Sequence, residues 1–175
     1  MTASQPKPPL LRPRSVARTA AVQALYQMDL AGIDLNRVIE EFRRERFAPD
    51  VVTARGEPSR DPDPDEKAEG ADRQFFADIL RGVVRRQRDI DPMIDLQLAE
   101  GWRLVRVDSI LRAILRAGVF ELMERSDVPA RVVINEYIDV AHSFFDAEEP
   151  RVVNGVLDKI ARMLRGPELE AGKKG

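Results

Sequence analysis

The chain has 175 residues, 43% hydrophobic and 33% charged, which is enough apolar material for one globular core, or two small halves sharing it, without covalent staples. It has no cysteine and a single histidine, His142, which excludes disulfides, thiolate zinc sites, cysteine nucleophiles and histidine metal clusters. The formal net charge of −2 exerts no global pull on nucleic acid, no apolar run has the length of a membrane span and no secretory signal opens the chain, so a soluble cytoplasmic protein without metal or cofactor is expected.

Charge is unevenly placed. Residues 1–18 hold Lys7, Arg12, Arg14 and Arg18 with no acid among them, and Pro6, Pro8, Pro9 and Pro13 bar a stable helix, so residues 1–13 are expected to form a flexible basic arm. From Arg14 onward Val16, Ala20, Leu25, Met28 and Leu30 mark a helical face that Gly32 ends. Asp34 is placed to cap a second helix whose apolar side is Leu35, Val38, Ile39, Phe42 and Phe47. Residues 50–70 are acidic, proline-punctuated and poor in large apolar groups, a composition that cannot offset the entropy of ordering; a disordered acidic insert is expected there.

Helical patterning returns at Asp72, with Phe75, Phe76, Ile79, Leu80, Val83 and Val84 on one side and the basic cluster Arg81, Arg85, Arg86 and Arg88 on the other. Asp91-Pro92 is expected to restart the chain into a shorter helix through Ile94 and Leu98, ending at Gly101. The most regular helix carries Val107, Ile110, Leu111, Ile114, Leu115 and Leu122, interrupted by Gly118, where the close approach of a neighbouring helix would explain a residue that costs roughly 0.5–1 kcal/mol against alanine. Asp127 as N-cap and Pro129 in the first turn begin another, with Val133, Ile134, Tyr137, Ile138, Ala141, Phe144 and Phe145 on one face. After Pro150 the last stripe is Val152, Val153, Val156, Leu157, Ile160 and Leu164. No segment of useful length alternates with period two, so the expected fold is all-α, about seven helices in one domain over residues 14–166, with 167–175 a flexible tail.

Within the last two stripes sit Asn135, Glu136, Asn154 and Gly155, which generic packing does not demand. The segments Val133-Ile134-Asn135-Glu136 and Val153-Asn154-Gly155-Val156-Leu157-Asp158-Lys159 resemble the two signature segments of NusB-type transcription antitermination factors, and Ala21–Tyr26 (AVQALY) and Ile114–Asp127 (ILRAGVFELMERSD) match in the same order. The resemblance implies two packed helical halves. It also implies an RNA-binding protein that pairs with the ribosomal protein NusE and holds a boxA-like single strand on nascent ribosomal RNA, within the RNA polymerase antitermination complex.

For RNA, the resemblance and the chemistry point to Arg12, Arg14 and Arg18 with Tyr26, and to Arg151 with Asn154: arginines neutralise phosphates, an exposed aromatic ring stacks a base, and a helix start attracts anions. The structural alternatives are a solvated arm for the first group, and for the second a helix start in which Asn154 ties a loop and Gly155 permits tight packing. Val152 stands where the family usually has phenylalanine, removing a stacking platform. For the protein partner the resemblance points to Phe144, Glu148 and Leu111, the last replacing an acid usual in relatives. Arg116, set among apolar neighbours, needs a buried acceptor, and Glu136 is the candidate. His142 and the Arg81–Arg88 cluster read as solvated, and Trp102 as a core plug.

No Gly-rich phosphate loop, nucleophile motif or partnered histidine is present, so no enzyme is expected. Two further readings stand beside the RNA-binding one. The same domain type occurs at the N-terminus of ribosomal RNA cytosine methyltransferases, which would make this chain a detached targeting module; a helical adaptor that binds only proteins is the other.

Overall fold

The computed structural model describes residues 13–45, 64–146 and 148–172. The arm residues Lys7 and Arg12, Phe47 and most of the acidic insert lie outside the described residues. Among those described there are six α-helices and one 3-10 turn, with no strand: α1 (Pro13–Ala31), α2 (Leu35–Glu45), α3 (Pro64–Gln97), the turn Leu104–Arg106, α4 (Ser109–Glu124), α5 (Ala130–Phe144) and α6 (Glu148–Ala171). No helix among the described residues is long and apolar enough to cross a membrane.

Local chemistry sets most boundaries where the sequence put them. Gly32, at φ 61°, ends α1 in the left-handed conformation, and its N–H donates to the Met28 carbonyl at 3.0 Å. Asp34 Oδ2 accepts from the Asn36 N–H at 3.3 Å, opening α2, and Asp108 Oδ1 accepts from Ile110 N–H at 2.8 Å, opening α4. α4 is the hub, packing against α1, α3, α5 and α6, so the two halves share one continuous core. The close approach expected at Gly118 is real: a Cβ there would lie 2.8 Å from Leu157 Cδ1 of α6 and 3.4 Å from the Tyr137 ring of α5. Gly82 of α3 plays the same part against the Phe120 ring of α4.

Four boundaries differ from expectation. α3 begins at Pro64 rather than Asp72, so the end of the acidic segment is helical; proline at a first helical position forfeits no hydrogen bond. Pro92 does not divide α3: it lies on the exposed side while Ile90 and Ile94 flank it fully buried, and that packing outweighs a proline penalty of about 3 kcal/mol. The expected seventh helix is thus the end of α3. Asp127 does not cap α5. Pro129 takes that position without a side-chain bond, and the free Ala130 N–H donates instead to Glu168 Oε1 at 2.7 Å.

Glu168 belongs to the fourth difference. Residues 167–171, expected as a flexible tail, continue α6 beyond a kink at Arg165 (φ −138°, ψ 32°) and pack back on α5. Leu169 is buried there, Arg165 Nη2 donates to the Val128 carbonyl at 2.8 Å, and Arg131 Nη2 donates to the Leu169 carbonyl at 3.3 Å. The polar composition of this stretch concealed a single apolar anchor, Leu169, and one carboxylate, Glu168, placed to satisfy the start of α5.

Candidate nucleic-acid and partner interface

Arg18, expected to touch RNA, is 2% exposed. Its Nε and Nη2 donate to Glu121 Oε2 and Oε1 at 2.8 and 2.9 Å, Nη1 lies 3.5 Å from Glu136 Oε2, and its guanidinium covers the Phe75 ring at 5.0 Å. Burial opposes its charge, but the Glu121 hydrogen bonds and carboxylate, with Glu136 behind them, hold its pKa above the ordinary arginine value. Arg18 therefore pins α1 to α4 and cannot reach a phosphate. Its register decides this: it stands among the buried residues Ala17, Ala20, Ala21 and Val22, whose small side chains leave room for the guanidinium. The fully buried Tyr137 lies beside the pair, and burial together with the Glu121 charge pushes its hydroxyl well above its usual pKa.

The pairing expected between Arg116 and Glu136 is also absent. Arg116 faces α3, where Nε and Nη2 donate to both oxygens of Asp91 at 2.8 and 2.9 Å. Glu136 faces α1 and accepts from Ser15 Oγ at 2.7 Å.

The remaining expected RNA residues occupy separate places. Arg14 is exposed, but its Nη1 lies 3.5 Å from Asp127 Oδ2 and its guanidinium 4.7 Å over Phe75. Hydrogen bonds from Arg125, with Arg14 farther away, hold the Asp127 carboxyl below its ordinary pKa. Tyr26 is half-buried further along α1. Arg12 lies outside the described residues.

Arg151 and Asn154 are both exposed on α6. Asn154 joins Asn135, Ile134, Arg131, Arg162 and Leu169 around a groove of about 520 Å³ between α5 and α6. A Cβ on Gly155 would meet nothing within 4 Å, so the tight-packing explanation of this glycine fails. A helical glycine without a packing reason carries only its entropic cost. Gly155→Ala is accordingly expected to raise unfolding free energy by about 0.5–1 kcal/mol, read from urea denaturation; no gain would mean the alanine meets a contact absent here.

A second cleft, of about 340 Å³, opens where the turn before α4 meets the start of α6. Glu148, Trp102, Arg103, Arg106 and Val152 line it together with Leu111, which is a core residue only 2% exposed and so backs the cleft more than it faces a partner. Phe144, expected beside them, is half-buried against the core and is not in the lining. Trp102 is 45% exposed and is therefore a cleft wall, not a core plug. The sequence held a signal for it: an aromatic beside Arg103 and Arg106 in a short connection is interface composition.

α6 presents these features on adjacent faces. Glu148, Glu149 and Val152 turn to the cleft, and Asn154, Asp158 and Arg162 to the groove. Between them Arg151, Gly155 and Lys159 follow one another at four-residue spacing, all exposed, and neither cation has an ion-pair partner among the described residues. Lys159 was not singled out from the sequence, although its spacing from Arg151 was visible. With Arg18 buried and Arg14 held against Asp127, these two arginines form no cationic edge with Asn154.

The profile of the NusB family matches residues 15–162. The chain belongs to the NusB family. Transcription antitermination protein NusB of Caulobacter vibrioides is 52% identical over 155 residues, covering 89% of this chain and 96% of the relative. The NusB of Allorhizobium ampelinum is 44% identical over 172 residues, covering 97% and 100%. Among solved structures, T. maritima NusB superposes with a TM-score of 0.66 at 28% identity, covering 90% of this chain and 96% of that one. A chain from the complex of antitermination factors NusB and NusE with dsRNA gives 0.66 at 25% identity, covering 88% and 99%. The strip, the whole cleft and the two asparagines fall inside the matched residues, whereas the kinked end of α6 lies beyond them.

Proposed function

We propose that this chain is an RNA-binding transcription antitermination factor that pairs with the ribosomal protein NusE and holds a boxA-like single strand of nascent ribosomal RNA, suppressing premature termination. The observation that carries this reading is membership of the NusB family over residues 15–162, together with a structural neighbour described as NusB and NusE in complex with dsRNA. The form of α6 supports it. Arg151 and Lys159 offer unpaired charge to phosphates along a strip made flat by Gly155, and the strip borders the cleft of Trp102, Leu111 and Glu148, which we assign to NusE. An RNA held on the strip would lie against a protein docked in the cleft, so each would improve the site for the other. Arg14, with the arm residues Lys7 and Arg12, would add a second phosphate contact region, Arg14 first leaving Asp127.

The test is a titration of a labelled boxA-like strand against the wild type and the Arg151→Ala, Lys159→Ala variant in the presence of NusE. Loss of two phosphate contacts should weaken binding and flatten the log–log salt slope by roughly 1.4. An unchanged slope would remove the strip from the RNA path. Failure of the wild type to bind RNA, with NusE binding intact, would favour the protein-only adaptor.

A further inference from the structure

We infer that the groove between α5 and α6 is a pocket for one unpaired nucleobase of the bound strand, an inference that rests on the RNA-binding reading above. Its volume of about 520 Å³ is ample for a base, and its walls divide by chemistry. Ile134 and Leu169, 6% and 8% exposed, supply apolar surface for a ring face. The carboxamides of Asn135 and Asn154 lie on the same groove, both exposed and without hydrogen-bond partners among the described residues. A carboxamide carries a donor and an acceptor side by side, the arrangement that pairs with a base edge two bonds at a time, adenine N6 and N7 being its best match.

The charges decide between base and phosphate. Asp158 and Glu170 balance Arg131 and Arg162 in the lining, and Asp158 occupies Arg162 at 2.9 Å, so the groove draws an anion less strongly than the open cations Arg151 and Lys159 beside it. A strand whose phosphates follow the strip can turn one base aside into the groove. The far wall is the end of α6: the kink at Arg165 brings Leu169 and Glu170 round, and the Glu168 bond to Ala130 N–H fixes it there. That wall lies beyond residue 162, where the family match stops, so this side of the open groove comes from the segment outside the match.

The experiment is an abasic scan of the boxA-like strand, one position at a time, with NusE present, on the wild type, on Asn135→Ala, and on a chain ending at Gly166. In the wild type one position should lose about tenfold in affinity when its base is removed, and in both variants that penalty should shrink to about twofold or less with the salt slope unchanged. Asn135 is exposed, so its alanine variant keeps the test sound even if the shortened chain unfolds. Abasic penalties identical in wild type and Asn135→Ala would overturn the pocket while leaving RNA binding intact. A loss of NusE affinity in Asn135→Ala with an unchanged scan would also overturn it, making the groove a protein-docking surface. No RNA binding by the wild type would instead overturn the reading on which the pocket rests.

Discussion

Arg18→Ala is expected to lower unfolding free energy by about 3–5 kcal/mol, because it strands the fully buried Glu121 carboxylate without its partner. Glu121→Ala should cost a similar amount for the converse reason. Replacing both residues together, with Met at 18 and Leu at 121, should recover most of the loss, since apolar side chains of like volume need neither solvation nor a partner. Urea denaturation of the two single variants and the double one gives all three values. A single-variant cost below about 1 kcal/mol would mean that water reaches the pair and that α1 is held by its alanines alone. Under conditions where Arg18→Ala stays folded, its RNA affinity should match the wild type, which separates its role from that of the neighbouring Arg14.

Trp102→Ala carries the second large effect, on partner binding and not on stability. Trp102 is 45% exposed on the wall of the cleft that Leu111 and Glu148 share, so its removal leaves the core intact. Tryptophans in the centre of an interface are typical hot spots, and truncation of one costs about 2 kcal/mol or more, which is roughly 30-fold in affinity. Calorimetry with NusE should read that loss while the thermal midpoint of the free protein stays nearly constant. An unchanged affinity would place the partner on another face. Trp102 is the one aromatic residue among those that line this cleft.

The helices were legible because apolar periodicity survives any local detail: the stripes of α4, α5 and α6 form or pack against the core, except Leu164, which is 40% exposed. The close approach expected at Gly118 is made by Leu157 and Tyr137. The errors came where tertiary context overrides a local rule. Pro92 resembles a break until Ile90 and Ile94 are both buried around it, and Asp127 resembles a cap until Arg125 claims it.

Arg18 is the instructive case for the site. Basic residues near a terminus invite a phosphate, yet residue 18 falls on the same stripe as Ala17, Ala21 and Ala24, and Glu121 falls on the α4 stripe with Ala117, Gly118 and Leu122. Two opposite charges on two buried stripes were a readable sign of a pair. Gly155 erred the other way: nothing in a sequence distinguishes a glycine that admits a neighbouring helix from one that leaves a face bare. Only the empty space above it makes that distinction.

We propose that this NusB-family chain binds single-stranded RNA through Arg151 and Lys159 beside the Trp102 cleft, together with the basic residues near its N-terminus. This binding is tested most directly by fluorescence anisotropy of a labelled boxA-like strand across a salt series, with and without NusE. With Arg151, Lys159, Arg14, Arg12 and Lys7 engaged, a log–log slope of roughly −3.5 is expected, with tighter binding when NusE is present and weaker binding to the strand annealed to its complement. A slope near zero, or an affinity that NusE leaves unchanged, would contradict it.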